Sequence, residues 1–168
     1  RVVDAQDQAL SRGQIGHVQV RGPNVLQGYW RNPGKTATDF TSDGYFRTGD
    51  DGFIDDEDYL NLAGRAKDLV ITGGLNVYPS EVELALDELP NVIESAVVGL
   101  PHADFGEQVV AYMVLKDPTA WDELGLRELV RAQLAAYKCP KQYFIVAELP
   151  RNAMGKVQKN ILRQSAQN

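Results

Sequence analysis

Asp68-Leu69-Val70-Ile71-Thr72-Gly73-Gly74-Leu75-Asn76-Val77-Tyr78-Pro79-Ser80-Glu81-Val82-Glu83 is the stretch on which the fold turns. Two apolar runs, 69–72 and 75–78, flank Gly73-Gly74, a dipeptide that accepts the positive φ angles of a tight hairpin. A helix opens directly behind them. Pro79 and Ser80 stand in its first turn, where a missing N–H has no helical partner, and Glu81 and Glu83 sit near the positive end of the dipole. Val82, Ala85, Leu86 and Leu89 fall on one face, and Pro90-Asn91 ends the pattern. Further along, strands at 94–100 and 109–115 flank a polar loop. Leu126, Leu129, Val130 and Leu134 give a second helix its apolar stripe, a third strand covers 143–146, and a loop at 149–156 leads into a short terminal helix. The order is a hairpin followed by αββαβα, an α+β fold.

Upstream the pattern differs. Short β-type runs at 15–21, 45–48 and 52–55 are separated by turn residues such as Gly22-Pro23-Asn24 and Ser42-Asp43-Gly44. Asn32-Pro33-Gly34-Lys35 starts a short helix through about residue 40. The expected division is therefore a β-rich segment, 1–66, and an α+β domain, 67–168. Sixty-six residues are few for a core of their own, and the chain opens on Arg1-Val2-Val3-Asp4 without an initiator methionine, so it reads as a fragment of a longer protein.

Of the 168 residues, 43 % are hydrophobic and 24 % charged, the ordinary balance of a globular protein. The longest apolar run, 109–115, is far short of the roughly 20 residues that cross a bilayer. No basic-then-apolar leader opens the chain. The expectation is a cytoplasmic protein without a membrane partner, and a net charge of −6 argues against nucleic acid. Cys139 is the single cysteine, and neither it nor His17 and His102 has metal-ligand spacing, so no metal site is expected within the chain. Charge is uneven, however. Lys138, Lys141, Arg151, Lys156, Lys159 and Arg163 share a stretch in which Glu148 is the one acid. That excess reads either as a solvated tail or as an attraction for a polyanionic small molecule such as a nucleotide.

Four clusters carry candidate chemistry. Tyr45-Phe46-Arg47-Thr48-Gly49-Asp50 puts a carboxylate after a strand and a glycine, where it can accept hydrogen bonds from a vicinal diol such as ribose. The plainer reading is an acidic turn, since Asp51, Asp55, Asp56, Glu57 and Asp58 follow. Gly64-Arg65-Ala66-Lys67-Asp68 lies where the pattern changes, a place able to absorb a rotation, with Lys67 as the hinge; it can equally be a plain linker. Gly73-Gly74 exposes backbone without Cβ atoms, open to a narrow ligand, although an ordinary hairpin needs the same glycines. Pro150-Arg151-Asn152-Ala153-Met154-Gly155-Lys156 places a lysine on a flexible turn. Its compact ammonium suits a crowded phosphate or carboxylate oxygen, and the alternative is an ordinary surface lysine.

These motifs, in this order, resemble the adenylate-forming superfamily of acyl-CoA synthetases, peptide-synthetase adenylation domains and luciferases. The similarity runs from Ile15-Gly16 and Arg21-Gly22-Pro23 through Ile161-Leu162-Arg163. Residues 68–79 together with Pro101-His102-Ala103-Asp104-Phe105-Gly106-Glu107 are most similar to malonyl-CoA synthetases. The resemblance implies the β-rich, distorted-barrel end of a large N-terminal domain, followed by a small mobile C-terminal α+β domain. It implies a ligase using ATP, Mg²⁺ and coenzyme A on a small malonate-like carboxylate, through an acyl adenylate and then a thioester. Asp50 then binds the ribose hydroxyls, Arg65 the ribose or phosphates, Gly74 lines the pantetheine path, Lys67 is the hinge, and Lys156 bridges substrate carboxylate and nucleotide during adenylation. The phosphate loop, adenine pocket and acyl pocket of the family have no counterpart here. The missing N-terminal domain is thus an expected partner, and the chain alone is expected to be inactive. Asp51 and Ala153-Met154 depart from the family's pattern without touching these positions. Pro150 and Gly155-Lys156 also resemble the site of lysine acetylation in bacterial relatives, which makes Lys156 a modification candidate and a protein lysine acetyltransferase a further partner. The alternatives are an adenylation domain that loads a carrier protein and a non-catalytic interaction module.

Overall fold

Short apolar runs in the first third of the chain pair into one antiparallel sheet. In the computed structural model, which describes residues 1–166, strands β1 (Val2–Val3), β2 (Gly16–Val20), β3 (Phe46–Ile54) and β4 (Leu60–Arg65) lie in the order β1-β2-β3-β4. A helix, α1 (Pro33–Asp39), starts at Asn32, whose side chain accepts the Lys35 N–H. The runs at 45–48 and 52–55, expected as separate strands, are one strand. Gly49 takes φ 76° and a register shift falls between Asp51 and Gly52, so the strand bends and continues instead of ending. Val2, Val3 and Val18 are the buried apolar residues of this unit, joined by Gln19 and Asp51. A core this small agrees with the shortness of the segment.

A second compact unit begins at Asp68. Its hairpin, β5 (Val70–Thr72) and β6 (Leu75–Val77), turns through Gly73 at φ 57° and Gly74 at φ 78°, the two positive angles of a type I′ turn. Then come α2 (Pro79–Asp87), β7 (Val92–His102), β8 (Gly106–Leu115), α3 (Glu123–Gln133), β9 (Gln142–Ile145) and α4 (Lys159–Ser165). The expected αββαβα order is present, and the fold is α+β. Strands β7 and β8 are longer than their apolar runs because they form one antiparallel hairpin down to the pair His102 and Gly106. The sheet order is β6-β5-β8-β7, with β9 parallel to β8.

Both faces of this sheet are covered. Val97, Val109, Ala111 and Met113 pack with Val82 and Leu86 of α2 and with Leu126 and Val130 of α3. The alternate residues Ala96, Val98, Leu100, Val110 and Tyr112 pack with Leu149 and with Leu162 of α4. Side chains alternate across a strand, so a sheet buried on both sides reads as unbroken apolar sequence. Leu129, expected on the inner stripe of α3, is instead 52 % exposed. Leu86 is fully buried. Leu86→Ala is expected to cost about 2–5 kcal/mol, from lost transfer energy plus the cavity left behind. The measurement is a lower urea midpoint at unchanged slope.

Candidate functional site

In the first unit, the strand register brings two of the singled-out residues together. Asp50 on β3 stands opposite Arg65 on β4, and the Arg65 Nε lies 2.8 Å from the Asp50 Oδ1. The Asp50 side chain is 27 % exposed and that of Arg65 53 %. The pair thus offers acceptor oxygens and guanidinium donors side by side, an arrangement that fits a ribose and its phosphate. Lys67 follows in a single 3₁₀ turn, Ala66–Asp68. Among the described residues its ammonium has no acid partner. Asp68, by contrast, accepts a hydrogen bond from Arg163 of α4 at 3.0 Å.

In the second unit, Gly74 and Lys156 lie on different elements. Beside the Gly73-Gly74 turn lies a groove of about 230 Å³, lined by Thr72, Gly73, Leu75, Phe105, Tyr137 and Lys141; Gly74 is not part of its lining. The turn is fixed by the Gly73 N–H, which donates to the Phe105 carbonyl at 2.9 Å, and by the Ile71 N–H, which donates to Glu107 at 2.8 Å. A Cβ on Gly74 would meet nothing within 4 Å, so its left-handed φ is what requires glycine there.

Lys156 sits on a turn held by several hydrogen bonds. Its two flanks are pinned in the same apolar cluster by Leu149 and Leu162. Arg151 and Val157 bridge across the loop, the Gly155 N–H donates to the Asn152 carbonyl at 2.9 Å, and Gly155 takes φ 76°. The Asn152 Oδ1 accepts from the N–H groups of both Met154 and Lys156, each at 3.0 Å. Asn152 was missed from the sequence, although asparagine at the first position of a turn with glycine three residues on is a readable signal.

The reading of the basic excess is corrected. Lys138 pairs with Glu81, Arg151 with Glu94, Lys159 with Glu83 and Arg163 with Asp68. Asp87, on the same helix as Glu81 and Glu83, is shifted as well. Burial, and less so the charges of Glu83 and Glu94, holds its carboxyl above the ordinary value against a hydrogen bond to Ser95. Of the six cations, Lys141 and Lys156 alone lack an acid partner among the described residues, and both are exposed. What looked like a diffuse polyanion patch is therefore two separate ammonium groups, one at the groove and one on the turn.

The remaining candidates stay inert. Burial pushes the Cys139 thiol up, and its Sγ faces the carbonyls of Leu134 and Ala135, so it is a core residue and not a nucleophile. The His17 Nδ1 lies 2.8 Å from Asp51, and no group of three His, Cys, Asp or Glu able to hold a metal occurs among the described residues.

Comparison with known proteins fits this arrangement. Residues 81–156 match the family described as the AMP-binding enzyme C-terminal domain, a segment that ends on Lys156. ATP-bound MatB from Rhodopseudomonas palustris is 51 % identical and superposes with a TM-score of 0.93 over 100 % of this chain and 34 % of its own. Over residues 81–156 the chain belongs to the AMP-binding enzyme C-terminal domain family. Among other relatives, the sulfoacetate–CoA ligase of Cupriavidus necator is 40 % identical over 95 % of this chain and 31 % of its own length. The amide bond synthetase McbA from Marinactinospora thermotolerans is 38 % identical, with a TM-score of 0.91 over 98 % of this chain and 34 % of its own. The chain thus spans about a third of the length of the relatives it matches.

Proposed function

We propose that this chain is the C-terminal part of an ATP-dependent acyl-CoA ligase and that Lys156 serves its adenylation step. The observation that carries the reading is the ammonium left on the braced turn: Arg151, Lys159 and Arg163 are spent on acids of the same unit, while Lys156 stands exposed and, among the described residues, without an acid partner. In the proposed reaction a substrate carboxylate attacks the α-phosphate of ATP and pyrophosphate leaves. The Lys156 charge then offsets negative charge accumulating between carboxylate and phosphate, and it needs no proton transfer to do so. Asp50 and Arg65 hold the ribose and its phosphate. Any Mg²⁺ is taken to ride on the ATP phosphates, since magnesium commonly keeps its waters and uses few protein ligands. For the second half-reaction the groove beside Gly73 and Gly74 receives the pantetheine arm of coenzyme A, with Lys141 at hand for its phosphates. Lys67 is the hinge about which the unit turns between the two steps.

For the acid itself we favour malonate or a close analogue. MatB is a malonyl-CoA synthetase, and the ligase of Cupriavidus necator acts on sulfoacetate, so two similar proteins take small acids bearing a second anionic group. Other relatives take long-chain fatty acids or indoleacetate, and the choice is therefore left to experiment.

The test is to supply the full-length protein with ATP, Mg²⁺, coenzyme A and, separately, malonate, sulfoacetate and a fatty acid, while AMP and thioester are followed by mass spectrometry. Malonate-dependent AMP and malonyl-CoA are the expected products. A different acyl-CoA would replace the substrate, and a thioester found on a carrier protein without consumption of free coenzyme A would replace the acceptor. Absence of any acid-dependent AMP would remove the whole reading.

A further inference from the structure

We infer that Asn152 is the positioning residue for Lys156, acting through its side-chain oxygen on the lysine's own backbone; the inference rests on reading Lys156 as the adenylation lysine. Asn152 holds Lys156 at both backbone groups. The Asn152 N–H donates to the Lys156 carbonyl at 3.0 Å, and the Asn152 Oδ1 accepts the Lys156 N–H at 3.0 Å. The same oxygen takes the Met154 N–H, so one atom closes the turn from the inside. A lysine stem is long and rotamer-rich, and the placing of its ammonium depends first on where its Cα is held. Here Asn152 holds that point through both backbone groups of Lys156, and Arg151 holds the Gly155 carbonyl just before it.

The rest of the loop is held independently. Arg151 joins the Gly155 carbonyl, at 2.7 Å, to the Glu94 carboxylate of β7, and Lys159 joins Glu83, whose carboxylate also accepts the Val97 N–H at 2.7 Å. Leu149 and Leu162 are buried on either side. Removing the Asn152 oxygen therefore loosens the tip, which keeps its backbone bonds between residue 152 and residues 155 and 156, while its shoulders stay docked. The expected consequence is a misplaced ammonium, not an unfolded domain.

A turn former that served stability alone would have no preference between the two half-reactions, and that distinction sets the experiment. In the full-length protein, adenylation is read by acid-dependent exchange of pyrophosphate into ATP, and thioester formation by the reaction of preformed acyl adenylate with coenzyme A. Lys156→Ala, Asn152→Ala, Asn152→Ser and the double variant are compared. A displacement of about 1 Å at a reacting group costs roughly 10²-fold. Asn152→Ala is thus expected to lower adenylation about a hundred-fold and to leave the thioester step near wild type. Asn152→Ser, whose hydroxyl can accept the same N–H groups without adding charge, is expected to regain most of the loss. Adding Asn152→Ala to Lys156→Ala is expected to cost nothing more, because the two act as one unit.

If Lys156→Ala collapses adenylation while Asn152→Ala does not, the positioning role is wrong and the reading of Lys156 stands. Equal loss of both half-reactions in Asn152→Ala, or a further loss in the double variant, would also overturn it. Normal adenylation by Lys156→Ala would remove the underlying reading itself.

Discussion

Lys156→Ala is expected to lower adenylation in the full-length protein by about 10²–10³-fold, the cost of removing one preorganised charge from a developing anion. The thioester half-reaction, started from preformed acyl adenylate, is expected to stay close to wild type, because in the proposed cycle the lysine turn serves the first step alone. The fold argues for an effect of this size rather than the near-zero effect of an average surface lysine. No neighbour can stand in for Lys156: Arg151, Lys159 and Arg163 are each tied to an acid, and Lys141 belongs to the groove at the Gly73-Gly74 turn. Among the described residues Lys156 has no ion pair whose loss would disturb the fold, so its truncation leaves the turn's backbone hydrogen bonds in place. Acetylation cancels the same charge and adds bulk at an exposed site. A protein lysine acetyltransferase that modifies Lys156 should therefore reproduce the alanine phenotype, with the acetylated 150–156 peptide identified by mass. Exchange of pyrophosphate at the wild-type rate in Lys156→Ala would end the assignment, and with it the modification argument.

What the sequence disclosed and what it withheld divide along a physical line. Signals confined to neighbouring residues were legible. Gly73-Gly74 specified a hairpin because few other dipeptides tolerate two positive φ angles in succession, and α2 was marked by its proline start and by Val82, Ala85, Leu86 and Leu89 on one face. Strands β7 and β8 declared themselves by length of apolar run, since both faces are buried. Strand β4 did not, because its short Leu60-Asn61-Leu62 alternation turns the leucines outward and its pairing is a matter of backbone. The pairing of Asp50 with Arg65 depends on a register shift at Asp51, which composition does not encode. Counting charges along the tail failed for the same reason. The acids that neutralise Lys138, Arg151, Lys159 and Arg163 are 57, 57, 76 and 95 residues away. Four of the six charges are cancelled in three dimensions, and the two that remain are Lys141 and Lys156.

Lys67→Pro is expected to separate the two half-reactions in the opposite manner, by restricting a conformational step and sparing the chemistry. Lys67 occupies a single 3₁₀ turn at the junction of the two compact units, and its side chain has no partner among the described residues whose loss could confuse the result. Proline holds φ near −65°, within the range of that turn, and so leaves residue 67 able to keep the conformation seen here. It forbids a large rotation about the same bond, and it restricts Ala66 as well. The neighbouring Asp68 is tied to Arg163 on α4, so a rotation blocked at residue 67 is not readily taken up one residue later. If the unit must turn between adenylation and thioester formation, one half-reaction should persist within a few-fold and the other should fall at least about a hundred-fold, as expected when reacting groups can no longer be brought into register. The unfolding midpoint of the variant, measured alongside, should fall slightly, because Ala66, just before the proline, lies in the same 3₁₀ turn. Equal loss of both half-reactions in a protein of normal stability would place the pivot elsewhere, and wild-type rates for both would show that no rotation at Lys67 is needed.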